Sequence, residues 1–229
     1  MKKISFLLVF LITTSLVMAQ NFNQFDANAQ RHGKWKKNFD NTKVVRYEGE
    51  FDHGKEVGTF KFYKNIDNKA VLTATKVFNT DNDVALVTFY ASNGKKISEG
   101  KMRGHDYIGK WVIYHKNINQ IMTQELYNDK GKLEGERLVY YINGQIAEQA
   151  FYKEGLLDGE SKWYAENGTL MKMITYKAGK FDGPYKTYNK EGLIATEGHY
   201  KDDLKCCVWK RYKDGKLVEE KDLDKKAKK

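Results

Sequence analysis

The residues of this chain that could carry chemistry are few and scattered. The sequence contains five histidines, none at the spacing usual for metal ligands: His32, His53, His105, His115 and His199. His53 and His105 fall in turn-like stretches, where a polar turn residue is the simplest interpretation. The sequence has no phosphate-binding loop, nucleophile elbow or zinc-protease motif, and its carboxylates form no evident catalytic pair. We therefore expect a protein that is not an enzyme and carries no metal or cofactor.

Two adjacent cysteines, Cys206 and Cys207, are the only thiols of the sequence. Thiols in an oxidising compartment tend to pair, but a disulfide between chain neighbours closes a strained ring. Three interpretations stay open at this point: a disulfide to a second molecule, another redox role, and simple decay of a repeat pattern. Cys206 and Cys207 are therefore candidate redox residues.

The first residues are typical of a signal peptide. Lys2 and Lys3 form a short positive segment, and the run from Ile4 to Met18 is almost wholly apolar. This pattern predicts cleavage before Gln20. The apolar run of about 15 residues is shorter than the roughly 20 that span a bilayer, so a retained membrane anchor is the weaker alternative. We expect an exported protein that is periplasmic, envelope-associated or secreted.

Composition favours a folded, basic protein. Hydrophobic residues make up 41% of the 229 positions and aromatic residues 14%, with one proline, which is typical of a globular or repeat protein rather than a disordered one. Without Lys2 and Lys3, the 40 basic residues become 38 against 30 acidic ones, a net charge of +8. A basic exported protein is attracted to anionic lipid or acidic glycan, although the charge could serve solubility alone. Nucleic acid is not an expected partner outside the cell.

A repeat of about 24 residues runs through the chain, and such a period predicts a repeat architecture. It is marked by an anchor column at intervals of 24 to 27 residues: Gly33, Gly58, Ala85, Gly109, Gly135, Gly159, Gly183 and Cys207. A tyrosine lies five residues after every anchor except the first: Tyr63, Tyr90, Tyr114, Tyr140, Tyr164, Tyr188 and Tyr212. The position four residues before every anchor except the first holds only glycine, aspartate or histidine, which tolerate positive φ.

Each repeat has the pattern of a β-hairpin. Asn93-Gly94, Asn143-Gly144, Asn167-Gly168 and Asp214-Gly215 each separate two strand-like runs. Such pairs predict type I′ turns, in which both central residues need positive φ. A looser, glycine-containing turn follows, as in residues 153–159. The sequence therefore predicts strands joined alternately by tight and looser turns, with no helix after the first segment.

The string YEGEFDHGKEVG, residues 47–58, resembles a MORN repeat, whose core reads Tyr-x-Gly-x-Phe-x-x-Gly-x-x-x-Gly. Later copies at 99–111, 150–163, 174–188 and 197–212 are similar to the degenerate bacterial variant of this repeat. Ala150 and Ile174 replace the first glycine of the pattern, and Cys207 replaces the last. The resemblance covers residues 31–220. It implies an all-β fold: an elongated single-sheet array of antiparallel β-hairpins with about eight units. We expect a signal peptide at 1–19, a short linker at 20–30, the array at 31–220 and a basic tail at 221–229.

Two sets of residues are the candidates for structural and binding roles. The expected repeat turn glycines are Gly49, Gly54, Gly58, Gly109, Gly135, Gly159 and Gly183. A single-layer sheet has too little mass to cover both faces, so part of the aromatic surface could form a binding face with interleaved lysines. Its expected members are Trp111, Tyr114, Trp163, Tyr188 and Trp209, with Lys110, Lys162, Lys186 and Lys210; the alternative is that these aromatics are core.

The family resemblance and the charge together give three candidate functions. The preferred one is an interaction scaffold that binds a protein partner or itself. The second is a binder of anionic envelope lipid or glycan. The third, which rests on the resemblance alone, is an immunity or antitoxin role, since some bacterial relatives are described as antitoxins.

Overall fold

The computed structural model describes residues 21–225. These residues form one antiparallel sheet of 18 strands, and no α-helix lies among them. Within this range, then, no helix has the length and apolarity required to cross a membrane. The all-β array of antiparallel hairpins expected from the sequence is confirmed. The expected signal peptide and residues 226–229 of the expected tail lie outside the described residues.

The strands follow one another in space as they do along the chain. They are β1 (Gln24–Phe25), β2 (Arg31–Asn38), β3 (Val45–Asp52), β4 (Lys55–Ile66), β5 (Lys69–Phe78), β6 (Val84–Tyr90), β7 (Lys96–Arg103), β8 (Asp106–Tyr114), β9 (Ile121–Tyr127), β10 (Gly135–Tyr140), β11 (Ile146–Lys153), β12 (Leu156–Leu157), β13 (Gly159–Tyr164), β14 (Leu170–Lys177), β15 (Lys180–Tyr188), β16 (Ile194–Lys201), β17 (Leu204–Lys213) and β18 (Lys216–Asp222). Each pairs with its successor, except that β12 and β13 both pair with β11. Contacts are therefore made between sequence neighbours, as expected of a repeat array.

The two kinds of turn are distributed differently from the prediction. At Asn93-Gly94 only the glycine has positive φ, and residues 92–94 form a three-residue loop in which the Ala91 N–H donates to the Lys95 carbonyl over 2.8 Å. This is the geometry of a type I turn followed by a left-handed glycine, so the type I′ prediction is wrong there. Asn93 favours it because its side-chain oxygen accepts the Lys95 N–H.

Type I′ geometry occurs instead mainly at the turns that were predicted to be looser. Both central residues have positive φ at His53-Gly54, with values of 44° and 82°, and at Ala178-Gly179. Asp214-Gly215 is the predicted pair that does have both positive angles. Two-residue turns of this kind match the right-handed twist of the strands they join.

The anchor residues bend the strands from within. Gly109 lies inside β8 with a φ of +62°. On the neighbouring strand β7, Gly100 pairs with Trp111 and Lys101 pairs with Ile108. Gly109 and Lys110 of β8 therefore have no pairing partner in β7. Bulges of this kind bend a strand and increase its twist. Gly58, Gly135, Gly159 and Gly183 also have positive φ, and so does the non-glycine anchor Cys207, at 63°.

Gly49 has a different role from the one predicted. It lies inside β3 and is absent from the residues with positive φ, so it is not a turn glycine. A Cβ atom on Gly49 would lie 2.5 Å from the ring of Phe60 on the next strand. Gly100 lies in the same way under Trp111, and Gly198 under Trp209. The glycine is needed because an aromatic ring occupies the space of its missing side chain.

The repeats without this glycine compensate in the same layer. Ala150 and Ile174 occupy its position. Ser161 takes the place of the ring in the repeat that contains Ala150, whereas Tyr185 keeps a ring opposite Ile174. Ala150, Ser161 and Ile174 are almost completely buried. The small Ser161 pairs with the larger Ile174 on the following strand, which keeps the local volume filled.

The buried rings share one side of the sheet, called here the aromatic face. Its members include Phe51, Phe60, Phe78, Met102, Trp111, Tyr185, Tyr200 and Trp209. Phe51 and Phe60 meet edge to face with their centroids 5.1 Å apart, and Tyr107 stacks on Trp111 at 4.0 Å. Phe60 and Trp111 are each 1% exposed. The core of the protein is therefore a line of rings from successive strands.

A charged triad interrupts this line. Arg137 occupies the position held by Trp111 and Trp209 in other repeats, two residues after the anchor. Its guanidinium bonds to Glu125 over 3.1 Å and to Glu148 over 3.0 Å. All three side chains are at least partly buried. The ion pairs satisfy a charge that would otherwise be costly to bury.

Part of the expected linker, 20–30, belongs to the sheet. β1 pairs with the start of β2, so that Gln24 lies opposite His32. The Phe25 ring lies edge-on to Trp35 at 5.3 Å between centroids. At the other end, β18 reaches Asp222, inside the expected tail of 221–229. The ordered array therefore extends slightly beyond both expected boundaries.

The ring-over-glycine contact predicts a specific energetic coupling. Gly100→Ala should lower the free energy of unfolding by about 1–3 kcal/mol, because the new methyl group overlaps the Trp111 ring. The same change should cost much less in a Trp111→Val background, since Val87 occupies the equivalent position in another repeat. A double-mutant cycle in urea denaturation measures the coupling.

Gly109→Ala is the matched control for that cycle. Its φ of +62° strains any alanine, but a Cβ there has no atom within 4 Å. Its cost should be the same with tryptophan or valine at position 111. Equal costs of Gly100→Ala in the two backgrounds would contradict the role assigned to the ring.

Candidate binding face

The residues predicted to form one binding face lie on both sides of the sheet. Successive side chains of a strand point to opposite faces of the sheet. Each lysine of this set is therefore on the other face from the aromatic or buried residue next to it in sequence. Trp111, Trp163 and Trp209 are on the aromatic face, while Tyr114 and Tyr188 lie with Lys110, Lys162, Lys186 and Lys210 on the other side, called here the outer face. Trp111 is 1% exposed and therefore belongs to the core, so its prediction as an open binding residue is wrong.

On the outer face, three repeats carry the same tyrosine–glutamate pair. The Tyr63 hydroxyl donates to Glu48 over 2.7 Å, and the Tyr212 hydroxyl donates to Glu197 over 2.7 Å. Tyr114 makes the equivalent bond to Glu99. These glutamates were not foreseen from the sequence. The signal was a glutamate directly before each mid-strand glycine, in Glu48-Gly49, Glu99-Gly100 and Glu197-Gly198.

These pairs set the charge of the outer face. Burial and the hydrogen bond to Glu48 raise the pKa of Tyr63 to about 12. Burial alone would raise the pKa of Glu99, but hydrogen bonds from Lys96 and Tyr114 outweigh it and leave that pKa below its ordinary value. At neutral pH the tyrosines are therefore neutral hydroxyl donors and Glu99 is a carboxylate.

The carboxylates compensate part of the lysine charge. Lys162 bonds to Glu160 over 2.8 Å, and Lys186 lies 3.9 Å from Glu197. Lys61 lies 3.8 Å from Glu48. The lysine–aromatic ladder expected from the sequence is thus a mixed surface of both signs. Its attraction for an anionic surface is weaker than the number of lysines alone suggests.

An apolar row crosses the same face and was not foreseen from the sequence. Its members are Val77, Leu86, Leu126 and Phe151, which are between 37% and 56% exposed. Val77 pairs with Leu86, which pairs with Lys101; Lys110 pairs with Leu126. A shallow groove of about 350 Å³ runs along Val77 and Leu86 beside Lys101. Exposed apolar side chains gathered in this way are typical of a site of interaction.

Cys206 and Cys207, the candidate redox residues, are free thiols with their sulfurs 3.1 Å apart. The hydrogen bond from Cys207, together with burial, raises the pKa of Cys206 to about 11. A thiol with a raised pKa has little thiolate at neutral pH and reacts slowly. Cys207 is exposed and occupies an anchor position with positive φ. Any thiol chemistry here therefore begins at Cys207.

Two of the five histidines lie together at the N-terminal end of the array. His32 Nδ1 is 3.6 Å from the Asp52 carboxylate, and the His53 ring stacks beside His32 with centroids 4.7 Å apart. Spacing along the chain gave no sign of this cluster, because His32 lies in β2, His53 lies in the turn after β3, and the two are 21 positions apart. The expectation that none of them groups with metal-ligating neighbours does not hold for this pair.

Two repeats of the sheet are similar to a known repeat family. A family model described as the MORN repeat variant matches residues 133–154 and 157–178. These two segments are MORN repeats of the variant type. They are adjacent hairpin units of the sheet, each containing an Asn-Gly loop, and they confirm the resemblance to the MORN repeat variant. MORN repeats are in general protein- or lipid-binding modules.

Known protein sequences and solved structures add little to this match with the MORN repeat variant. No curated protein sequence matches the chain. Among solved structures, a crystal structure of a S. aureus TarM mutant in complex with fondaparinux, alpha-GlcNAc-glycerol and UDP is 12% identical, with a TM-score of 0.21. The alignment covers 52% of this chain and 18% of that chain. A likeness at this level carries no argument about fold or ligand.

The Tyr63–Glu48 pair predicts a loss of stability in alkali. A pKa raised from its ordinary value of 10.0 to about 12 means that the folded protein prefers neutral Tyr63. The resulting stability is fully present below pH 10.0 and is lost as the pH rises through about 12. Tyr63→Phe should remove this contribution, so that its free energy of unfolding falls less steeply with pH than that of the wild type.

Urea denaturation at a series of pH values tests this expectation. Tyr141→Phe is the control, because the Tyr141 hydroxyl donates to the Tyr164 carbonyl rather than to a carboxylate. It should lose stability in alkali as the wild type does. Parallel curves for Tyr63→Phe and the wild type would contradict the assigned pair.

The thiols should differ in reactivity. A disulfide-exchange reagent at mildly alkaline pH should modify Cys207 before Cys206, because Cys207 is exposed and the pKa of Cys206 is raised. Peptide mapping of the partly reacted protein identifies the labelled site, with the urea-unfolded chain as the control in which the two rates converge. Faster labelling of Cys206 than of Cys207 in the folded protein would contradict this order.

Proposed function

We propose that this protein is an exported, non-catalytic scaffold that binds a protein partner through the apolar row of its outer face. The observation that carries the proposal is the row itself: four large apolar side chains on one face, from β5, β6, β9 and β11, each more than a third exposed. A partner that covers such a row removes apolar surface from water, which stabilises the complex by about 25 cal/mol per Å² of buried apolar surface. The general role of MORN repeats as interaction modules supports this interpretation.

The row also indicates the chemistry of the partner. Lys101 and Lys110 lie between Leu86 and Leu126, and both lysines are exposed. A partner segment with apolar side chains and neighbouring carboxylates would be complementary in both shape and charge. Such complementarity contributes mainly to specificity and to the rate of association.

Anionic lipid or glycan is the second candidate ligand, favoured by the net positive charge. Each lysine near an anionic membrane contributes about 1 kcal/mol when its charge is free to act. Several lysines of the outer face lie close to glutamates, which reduces this attraction. We therefore place protein binding before lipid binding.

Export and any immunity role belong to the proposal as well. Export rests on the residues of the expected signal peptide, 1–19, which lie outside the described residues. An immunity or antitoxin function is supported by the family resemblance alone, and no geometric feature of residues 21–225 adds to it.

A pulldown with matched variants tests the scaffold function. Leu86→Glu combined with Leu126→Glu places two charges in the row without touching the core, so the fold should be kept. The wild type should retain a defined protein partner from envelope extract at high salt, and the variant should bind that purified partner at least about tenfold more weakly. Leu193→Glu with Leu217→Glu, at similarly exposed positions away from the row, should bind normally.

Anionic vesicles provide the competing arm of the experiment. Retention on vesicles that disappears between about 50 and 500 mM salt, with no protein partner recovered, would replace the scaffold by the lipid-binding function. A partner that binds the Leu86→Glu and Leu126→Glu variant as tightly as the wild type would contradict the assignment of the apolar row.

A further inference from the structure

The histidine cluster lies where three chain segments meet at the N-terminal end of the sheet. His32 is near the start of β2, Asp52 ends β3, and His53 begins the type I′ turn between β3 and β4. Asp26 comes from the turn between β1 and β2. All three side chains of the cluster itself are exposed, so a solute can reach them.

The potential ligand atoms are close to the separations that a metal ion requires. Asp52 Oδ1 lies 3.6 Å from His32 Nδ1 and 3.8 Å from His53 Nε2, and the ligand atoms of the three residues all lie within 4.8 Å of one another. Tetrahedral zinc with bonds of about 2.0–2.1 Å holds its ligand atoms roughly 3.3–3.5 Å apart. Two of the separations need to shorten by only a few tenths of an ångström, which small rotations of the exposed His32 and Asp52 side chains can supply.

Asp26 orients His53 for this role. Its Oδ2 lies 2.6 Å from His53 Nδ1, and its Oδ1 accepts the backbone N–H groups of Asn28 and Gln30. The Asp26 side chain is only 8% exposed, so this arrangement is well held. A carboxylate that accepts the Nδ1 proton leaves Nε2 as the free lone pair, and Nε2 is the atom that points to Asp52. Metal-binding histidines are usually held by an outer carboxylate in this way.

We propose that His32, Asp52 and His53 form a binding site for Zn²⁺ or a divalent ion of similar chemistry, with Asp26 as the positioning residue behind His53. Two imidazoles and one carboxylate suit zinc and its transition-metal neighbours, whereas magnesium and calcium prefer oxygen ligands. The two carboxylates supply the negative charge that a dication needs. Three protein ligands leave a fourth position open to water.

The ion would connect parts of the chain that are otherwise held by few contacts. β1 contains two residues, and the turn at His53-Gly54 is exposed. A metal bound to β2 and to this turn, and braced through Asp26, would fasten the first turn of the array to the N-terminal segment. Terminal repeats lack one neighbour, so an additional link has its largest effect there.

Zinc binding is tested with the purified protein produced without a histidine tag, since a tag would bind the same ions. Competition with a chromophoric chelator should give one zinc ion per chain, and zinc should raise the melting temperature. His32→Gln and His53→Asn should each weaken binding at least about tenfold. Asparagine is used at position 53 because the residue has a φ of 44°, which asparagine tolerates.

Two further variants separate ligation from folding. Asp26→Asn should weaken zinc binding by about 10–100-fold, because its amide cannot accept the His53 proton in the same orientation. His105→Gln with His199→Gln removes two exposed histidines elsewhere in the array and should leave binding unchanged. Nitrogen chemical shifts of the imidazole rings should change at His32 and His53 on zinc addition and stay constant at His105 and His199.

Two results would contradict the proposed zinc site. The proposal fails if the wild type binds no zinc at about 100 µM, well above the range of built zinc sites. It also fails if His32→Gln and His53→Asn bind as tightly as the wild type while keeping its circular dichroism spectrum. Wild-type affinity in folded Asp26→Asn would remove the positioning role of Asp26.

Discussion

The fold depends on a single packing constraint: a one-layer sheet must bury its aromatic rings against its own neighbouring strands. No second layer is present in residues 21–225 to cover them. Phe60 and Trp111 are nevertheless almost fully buried, because each lies over a glycine of the preceding strand and contacts other aromatic rings. In the repeats of Phe60, Trp111 and Trp209, the chain supplies both the ring and, on the preceding strand, the glycine that leaves space for it.

The same constraint determines which surface is available for binding. Once the large rings occupy the aromatic face, the opposite face is left with tyrosine hydroxyls, glutamates, lysines and the exposed apolar row. The Tyr–Glu bonds orient this polar layer, and the bulges at the anchor residues bend each strand. Packing on one side therefore leaves the other side free to vary for recognition.

Sequence patterns predicted the fold better than the site. The period of about 24 residues and the Asn-Gly pairs indicated hairpins because turn residues report local backbone geometry. The role of Gly49 was predicted wrongly because a glycine can be required by an aromatic ring on another strand, and no local sequence pattern reveals such a contact. Trp111 was misassigned because alternation shows which residues share a face but not which face is covered. The cluster of His32, Asp52 and His53 was missed because only the pairing of strands brings these residues together.

The charged triad of Arg137, Glu125 and Glu148 divides the row of rings. Ring–ring contacts end at Tyr127 on one side of it and begin again at Tyr176 on the other. Contacts between apolar rings become stronger on warming from low temperature, whereas ion pairs are weakened by added salt. Residues 21–225 therefore contain two stretches of ring contacts joined by ion pairs, so cohesion at this junction depends on charge while cohesion on either side of it depends on apolar burial.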